Sequence, residues 1–149
     1  MSAFDPSTFL DMTTAEAGST SIEPIPAGEY TAIIESVEPK PFISKRTGQE
    51  GIVVECNLVL QAPEVASRLG RDKLTARYSF YPDLTPQGGF DMAKGKNVSL
   101  NRLRDACGLN VPGQPFKLSM LMGKPIKAVL SHRVVGDAVY TDVKTVGKI

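Results

Sequence analysis

Nine consecutive residues, Ile52-Val53-Val54-Glu55-Cys56-Asn57-Leu58-Val59-Leu60, place an apolar side chain at every even position. Successive side chains of a strand point to opposite faces, so the run is a β-strand with one face turned to a core. Residues 74–81 repeat the pattern: Leu74, Ala76, Tyr78 and Phe80 alternate with Thr75, Arg77, Ser79 and Tyr81, and Pro82 stops the run. Residues 30–37 are rich in β-formers and are expected to end at Pro39 and Pro41. Two further strands, 126–135 and 138–146, flank Gly136-Asp137, a tight-turn pair.

The intervening segments complete the order. Residues 39–51 read as a loop, as do 63–71, the latter with room for a helical turn. Residues 82–95 hold two prolines and three glycines and read as a long loop. Asn97 or Ser99 is placed to cap a helix that carries Leu100, Leu103, Ala106 and Cys107 on one side and ends at Gly108. Residues 116–122 read as a short helix or an irregular hydrophobic plug. The predicted order, β-β-β-α-β-β, is mostly β and matches a five-stranded OB-like barrel; other small barrels and open α+β sheets share it. The domain is expected to span 26–149.

The 149 residues suit one domain, and 42% hydrophobic with 22% charged residues is globular composition. Formal net charge is only +1, but it is unevenly spread. Residues 1–39 hold seven acids and no Lys or Arg, whereas residues 40–149 hold all 17 basic residues and nine acids. Residues 1–25, with no sustained period, are expected to form a flexible acidic arm, with one helical turn near Pro6 and with Phe4, Phe9 and Leu10 available for docking. A basic body beside an acidic arm suggests a nucleic-acid ligand.

Catalysis finds little support. No nucleophile elbow, zinc-protease, P-loop or C-x-x-C motif is present, and the single histidine, His132, has no triad partners. Cys56 and Cys107 read as small buried hydrophobes of a reducing, intracellular compartment. No metal site, cofactor or membrane span is expected, and the N-terminus lacks the features of a signal peptide. The location expected is cytoplasmic.

Sequence-tolerant binding of single strands needs cations along a groove and aromatic planes for bases. The chain interleaves them. Lys40, Phe42, Lys45 and Arg46 fall in the predicted loop between strands 1 and 2. Arg77 and Tyr81 share the outward face of strand 3. Phe90, Lys94 and Lys96 share the long loop, and Arg133 lies in strand 4 beside Tyr140 in strand 5. Tyr78 and Phe80 belong to the core set. Arg102 and Arg104 read as solvated helix residues.

Pro26-Ala27-Gly28-Glu29-Tyr30-Thr31-Ala32-Ile33-Ile34 resembles the opening strand of phage-encoded single-stranded DNA-binding proteins with an OB fold. The likeness continues in Asn101-Arg102-Leu103-Arg104-Asp105-Ala106-Cys107-Gly108 and in Leu121-Met122-Gly123-Lys124-Pro125-Ile126. The resemblance implies an accessory protein of DNA replication or recombination that coats single strands in the cytoplasm of an infected bacterium. Replication or recombination proteins, and further copies of the chain meeting at a strand edge, are then its expected partners. Unlike many proteins of that function, the chain ends in Val143-Lys144-Thr145-Val146-Gly147-Lys148-Ile149, which is not acidic. A protein–protein adaptor or assembly module on the same scaffold is the alternative.

Overall fold

The computed structural model describes residues 5–18 and 22–149. Phe4 and residues 19–21 of the acidic arm lie outside the described residues. A short helix α1 (Pro6–Leu10), capped by Asp5, is wholly exposed. The strands are β1 (Gly28–Ile43), β2 (Glu50–Leu60), β3 (Thr75–Phe80), β4 (Pro125–Val135) and β5 (Ala138–Gly147). Helix α2 (Pro63–Leu69) joins β2 to β3. Helix α3 (Val98–Ala106) and a 3-10 turn (Leu118–Leu121) stand between β3 and β4.

All five strands pair antiparallel in one sheet of order β3-β2-β1-β4-β5. The closed barrel expected from the element order is not formed. Cα atoms of β5 come within 8 Å of β3, yet these two strands remain the edges of the hydrogen-bonded order. β3 is six residues long, and Pro82 stands two positions beyond its end. On the β4–β5 hairpin, Thr141 Oγ1 donates to the Ile25 carbonyl at 3.3 Å, and His132 Nε2 donates to the same oxygen at 2.7 Å. Ile25 itself is buried, so packed structure already exists at the end of the segment read as a flexible arm.

The core face follows the sequence periodicity. Val54, Cys56, Leu58 and Leu60 of β2 and Tyr78 and Phe80 of β3 are buried. Ala32, Ile34, Ile126, Ala128 and Leu130 continue that face across β1 and β4. Leu100, Leu103 and Ala106 of α3 and Leu121 of the 3-10 turn pack against it. Burial of the Val, Leu, Ile and Phe side chains among them contributes roughly 1.5–3 kcal/mol each. The Tyr78 hydroxyl donates to Ser99 O at 2.9 Å, which satisfies the one polar atom the ring carries inward. Ile52 is the exception in the even set: it is 41% exposed, because the β1–β2 hairpin runs past the end of the core.

β1 is longer than its prolines predict. It continues through Pro39 and Pro41 to Ile43, paired with β2 throughout. β4 pairs only with residues 28–33, and just before β4 the Ile34 N–H donates to Lys124 O and the Ile34 carbonyl accepts from Gly123 N; beyond Ile34 the strand has no ladder partner on its other side among the described residues. A strand with one open edge can turn a missing N–H toward solvent and lose no ladder bond. The loop expected at 39–51 therefore shrinks to residues 44–49.

A bulge between Ile34 and Ser36 decides what this extension presents. Before it, the even residues Ala32 and Ile34 face the core. After it, Val37 is the partner of buried Cys56, so odd residues take the core side and Ser36, Glu38, Lys40 and Phe42 turn outward.

Candidate nucleic-acid interface

The outer face of β1, β2 and β3 brings together four of the ten residues singled out in the sequence. Lys40 and Phe42 come from β1, Arg77 from β3, and Tyr81 from the position after it. The Phe42 and Tyr81 rings lie 5.0 Å apart between centroids and are inclined at 60°. Tyr81 is 63% exposed, whereas Phe42 is half-buried. Phe42 lies across Gly51, its register partner on β2, and a Tyr81 face is left open to solvent.

The two cations of this face are not free. Lys40 Nζ donates to Glu55 Oε2 at 2.9 Å and lies 3.8 Å from Glu38. Arg77 Nη1 stands 3.8 Å from the other Glu55 oxygen. The hydrogen bond from Lys40, helped by the charges of Arg77 and Lys40, lowers the Glu55 pKa, and its counterpart raises that of Lys40. Glu55 sits between Lys40 and Arg77 and neutralises part of their charge.

Unpaired cations flank the face instead. Lys45 and Arg46 occupy the exposed 44–49 turn at the end of the β1–β2 hairpin, and Lys94 and Lys96 an exposed turn before α3. Among the described residues, no carboxylate lies within 4 Å of these four. The 91–97 turn is fastened to the end of β3 by Asn97, which is buried and left-handed at φ 52°. Its Oδ1 accepts from Asp83 N at 2.7 Å, and its Nδ2 donates to Asp83 O at 2.8 Å and Asp91 O at 2.9 Å. Its own N–H donates to Asp83 Oδ2 at 2.8 Å. This clasp puts Gly95 and Tyr81 on the walls of one small cavity of about 240 Å³. Asn97 does stand at the N-cap position, but its side chain is spent on the clasp and caps nothing.

Two candidates fall outside the face. Phe90 bridges to Leu84 and packs partly against the core, because the long loop folds back as a small β-bridge and does not splay into solvent. Arg133 lies on the β4–β5 hairpin, where its Nε donates to Asp142 Oδ2 at 2.8 Å and its guanidinium sits 5.0 Å over Tyr140. Tyr140 is exposed and takes no part in the core.

Arg104 is also not the solvated residue expected. It is buried, 4.5 Å over the Phe116 ring, with Nη1 donating to Asn101 Oδ1 and Nη2 to Leu109 O. Its helical position, one after Leu103, allows that burial, and the cover comes from the 109–116 segment folding over α3 together with Met92, whose sulfur lies 3.6 Å from Nη1.

The structure offers no activated nucleophile in either cysteine. Burial pushes the Cys56 thiol up to about 12 and the Cys107 thiol up to about 11. Among the described residues, no cluster of three His, Cys, Asp or Glu is placed to hold a metal. No helix among them is long and apolar enough to cross a membrane.

Below the hairpin end lies an apolar groove of about 900 Å³, lined by Pro41, Ile43, Ile52, Pro82 and Leu84 beside Phe42 and Gly51. Scanned against protein-family models and compared with curated proteins, the chain finds no match.

Proposed function

We propose that the protein binds single-stranded DNA without strong sequence preference, through the outer face of β1–β2–β3, as a non-enzymatic accessory of replication or recombination. The observation that carries this reading is the exposed Tyr81 ring, backed by Phe42 and bordered by two turns with unpaired cations, Lys45 and Arg46 on one and Lys94 and Lys96 on the other. An aromatic plane supplies stacking to any base, and cations on either side supply phosphate contacts. The strand order, with a helix between the third and fourth strands, suits an OB-like module, whose second and third strands and first loop form the usual ligand surface. A phage origin and action in a bacterial cytoplasm belong to the same proposal and rest on the motif resemblance alone.

The test is fluorescence anisotropy of labelled single-stranded and duplex oligonucleotides at two salt concentrations. Tighter binding of the single strand is expected, with log K falling by about 0.7 per phosphate contact for each tenfold rise in salt. Absence of single-strand binding at low salt would refute the proposal. The adaptor reading would then gain weight, since Ile43, Ile52 and Leu84 give the groove exposed apolar walls suited to a protein partner.

A further inference from the structure

We infer that Gly51 is a positioning residue for base stacking: its missing side chain is the space in which the Phe42 ring lies, and that ring holds Tyr81 at the angle a base meets. The inference rests on the single-strand reading of this face.

Gly51 and Phe42 are direct register partners across the β1–β2 ladder. A Cβ placed on Gly51 would stand 2.6 Å from Phe42 Cε1 and 3.3 Å from Cδ1 and Cζ. Non-bonded carbons do not approach so closely, so any side chain there displaces the ring. The backbone does not explain the glycine. Gly48, in the adjacent turn, has φ 71° and open space around it, and so answers to conformation. Gly51 is outside the left-handed region and answers only to the ring. An aromatic ring laid over a strand glycine shields backbone that would otherwise lack cover.

The arrangement divides the work between the two rings. At 5.0 Å and 60°, Phe42 presents itself against Tyr81 in a tilted contact, the favourable geometry for an aromatic pair. Phe42 is the more covered ring and Tyr81 the more exposed, so Tyr81 offers the stacking plane and Phe42 restrains it. A base that stacks on a ring already held loses less freedom on binding than one that must order it. Gly51 never touches the nucleic acid and acts through Phe42 and then Tyr81.

A double-mutant cycle in the full-length protein tests this, using G51A, Y81A and G51A/Y81A with a labelled oligothymidylate at fixed salt. G51A is expected to weaken binding roughly 2- to 12-fold, the value of one aromatic pair contact. In the Y81A background the same change is expected to cost less than about twofold, because the ring it acts through is gone. Wild-type affinity in G51A, or an equal loss in both backgrounds, overturns the inference. Should G51A fold poorly, F42L removes the ring while leaving the glycine and is expected to reproduce the G51A affinity; wild-type binding by F42L overturns the inference too. If the wild-type protein fails to bind, the single-strand reading has failed. The Gly51–Phe42–Tyr81 contact is then read from near-ultraviolet circular dichroism, where an unchanged aromatic signal in G51A overturns it and an altered one supports it.

Discussion

Asn97 concentrates more structural obligation than any other polar residue described, and replacing it tests the clasp that fastens the 91–97 turn to β3. Three side-chain hydrogen bonds, one from Asp83 N and two to Asp83 O and Asp91 O, are made within 2.7–2.9 Å at a buried position. Each contributes about 0.5–1.5 kcal/mol net, and the groups left behind keep part of their access to water through the exposed turn. The backbone at φ 52° adds a second cost, since alanine in the left-handed region is disfavoured by about 1–2 kcal/mol where asparagine is tolerated. N97A is therefore expected to lose about 2.5–6.5 kcal/mol, toward the lower end because of that water access. For a chain of this size that lowers Tm by roughly 2–4 °C per kcal/mol. N97G loses the same hydrogen bonds without the backbone strain, so its melting temperature is expected to fall between those of N97A and wild type. Thermal unfolding followed by circular dichroism measures all three. An N97A midpoint within about 1 °C of wild type, or an N97G midpoint below that of N97A, would show that the clasp is not what holds the turn.

Four further outcomes follow from the site. E55Q releases Arg77 and leaves Lys40 only the more distant Glu38, and is expected to tighten single-strand binding and steepen its salt dependence by up to about 1.4, or 0.7 for each new phosphate contact; unchanged affinity and slope would place both cations outside the interface. Acidification acts in the same direction. The Glu55 pKa is lowered in the fold by the Lys40 hydrogen bond, so the pairing is present above the ordinary carboxylate pKa and is lost as pH falls through the lowered one; oligonucleotide affinity should rise across that interval, and a flat response in E55Q is the control. Replacing Lys45 and Arg46 together with Ala should flatten the salt slope by up to about 1.4 with stability within about 0.5 kcal/mol of wild type, and an unaltered slope removes the turn from the site. F80A should destabilise by roughly 3–5 kcal/mol and Y81A should instead weaken binding by about 1–3 kcal/mol; the reverse pattern in melting and titration would contradict the observed orientation of β3.

What the sequence determined on its own is the set of strands and which side of most of them faces inward. Val54, Cys56, Leu58 and Leu60 in β2, Tyr78 and Phe80 in β3, and Leu100 and Leu103 in α3 are buried as their spacing requires, with Ile52 the one member of the even set left exposed. Periodicity records burial because a strand or helix with one wet face must repeat its apolar residues at the period of its own backbone. That signal is local and needs no knowledge of neighbours. Gly136 between two β-rich runs was legible for the same reason: at φ 60° it supplies the tight turn where it stands.

The site depended on relations the spacing does not contain. Pro39 and Pro41 are locally strand breakers, yet β1 passes through both because one of its edges has no neighbour, a condition set by where β4 stops pairing. The bulge at Ile34/Ser36 then reverses the parity of β1, and only that reversal turns Lys40 and Phe42 to the outer face. Lys40 reaches Glu55 fifteen residues away, Phe42 meets Tyr81 from another strand, and Asn97 meets Asp83 fourteen residues back. Residue types identify cations and aromatic rings but could not say which cation a carboxylate would neutralise, which ring the core would take, or whether the sheet would close. Those outcomes are set by cross-strand register and by loop segments folding over their neighbours, and both come into being only when distant parts of the chain compete for the same surface.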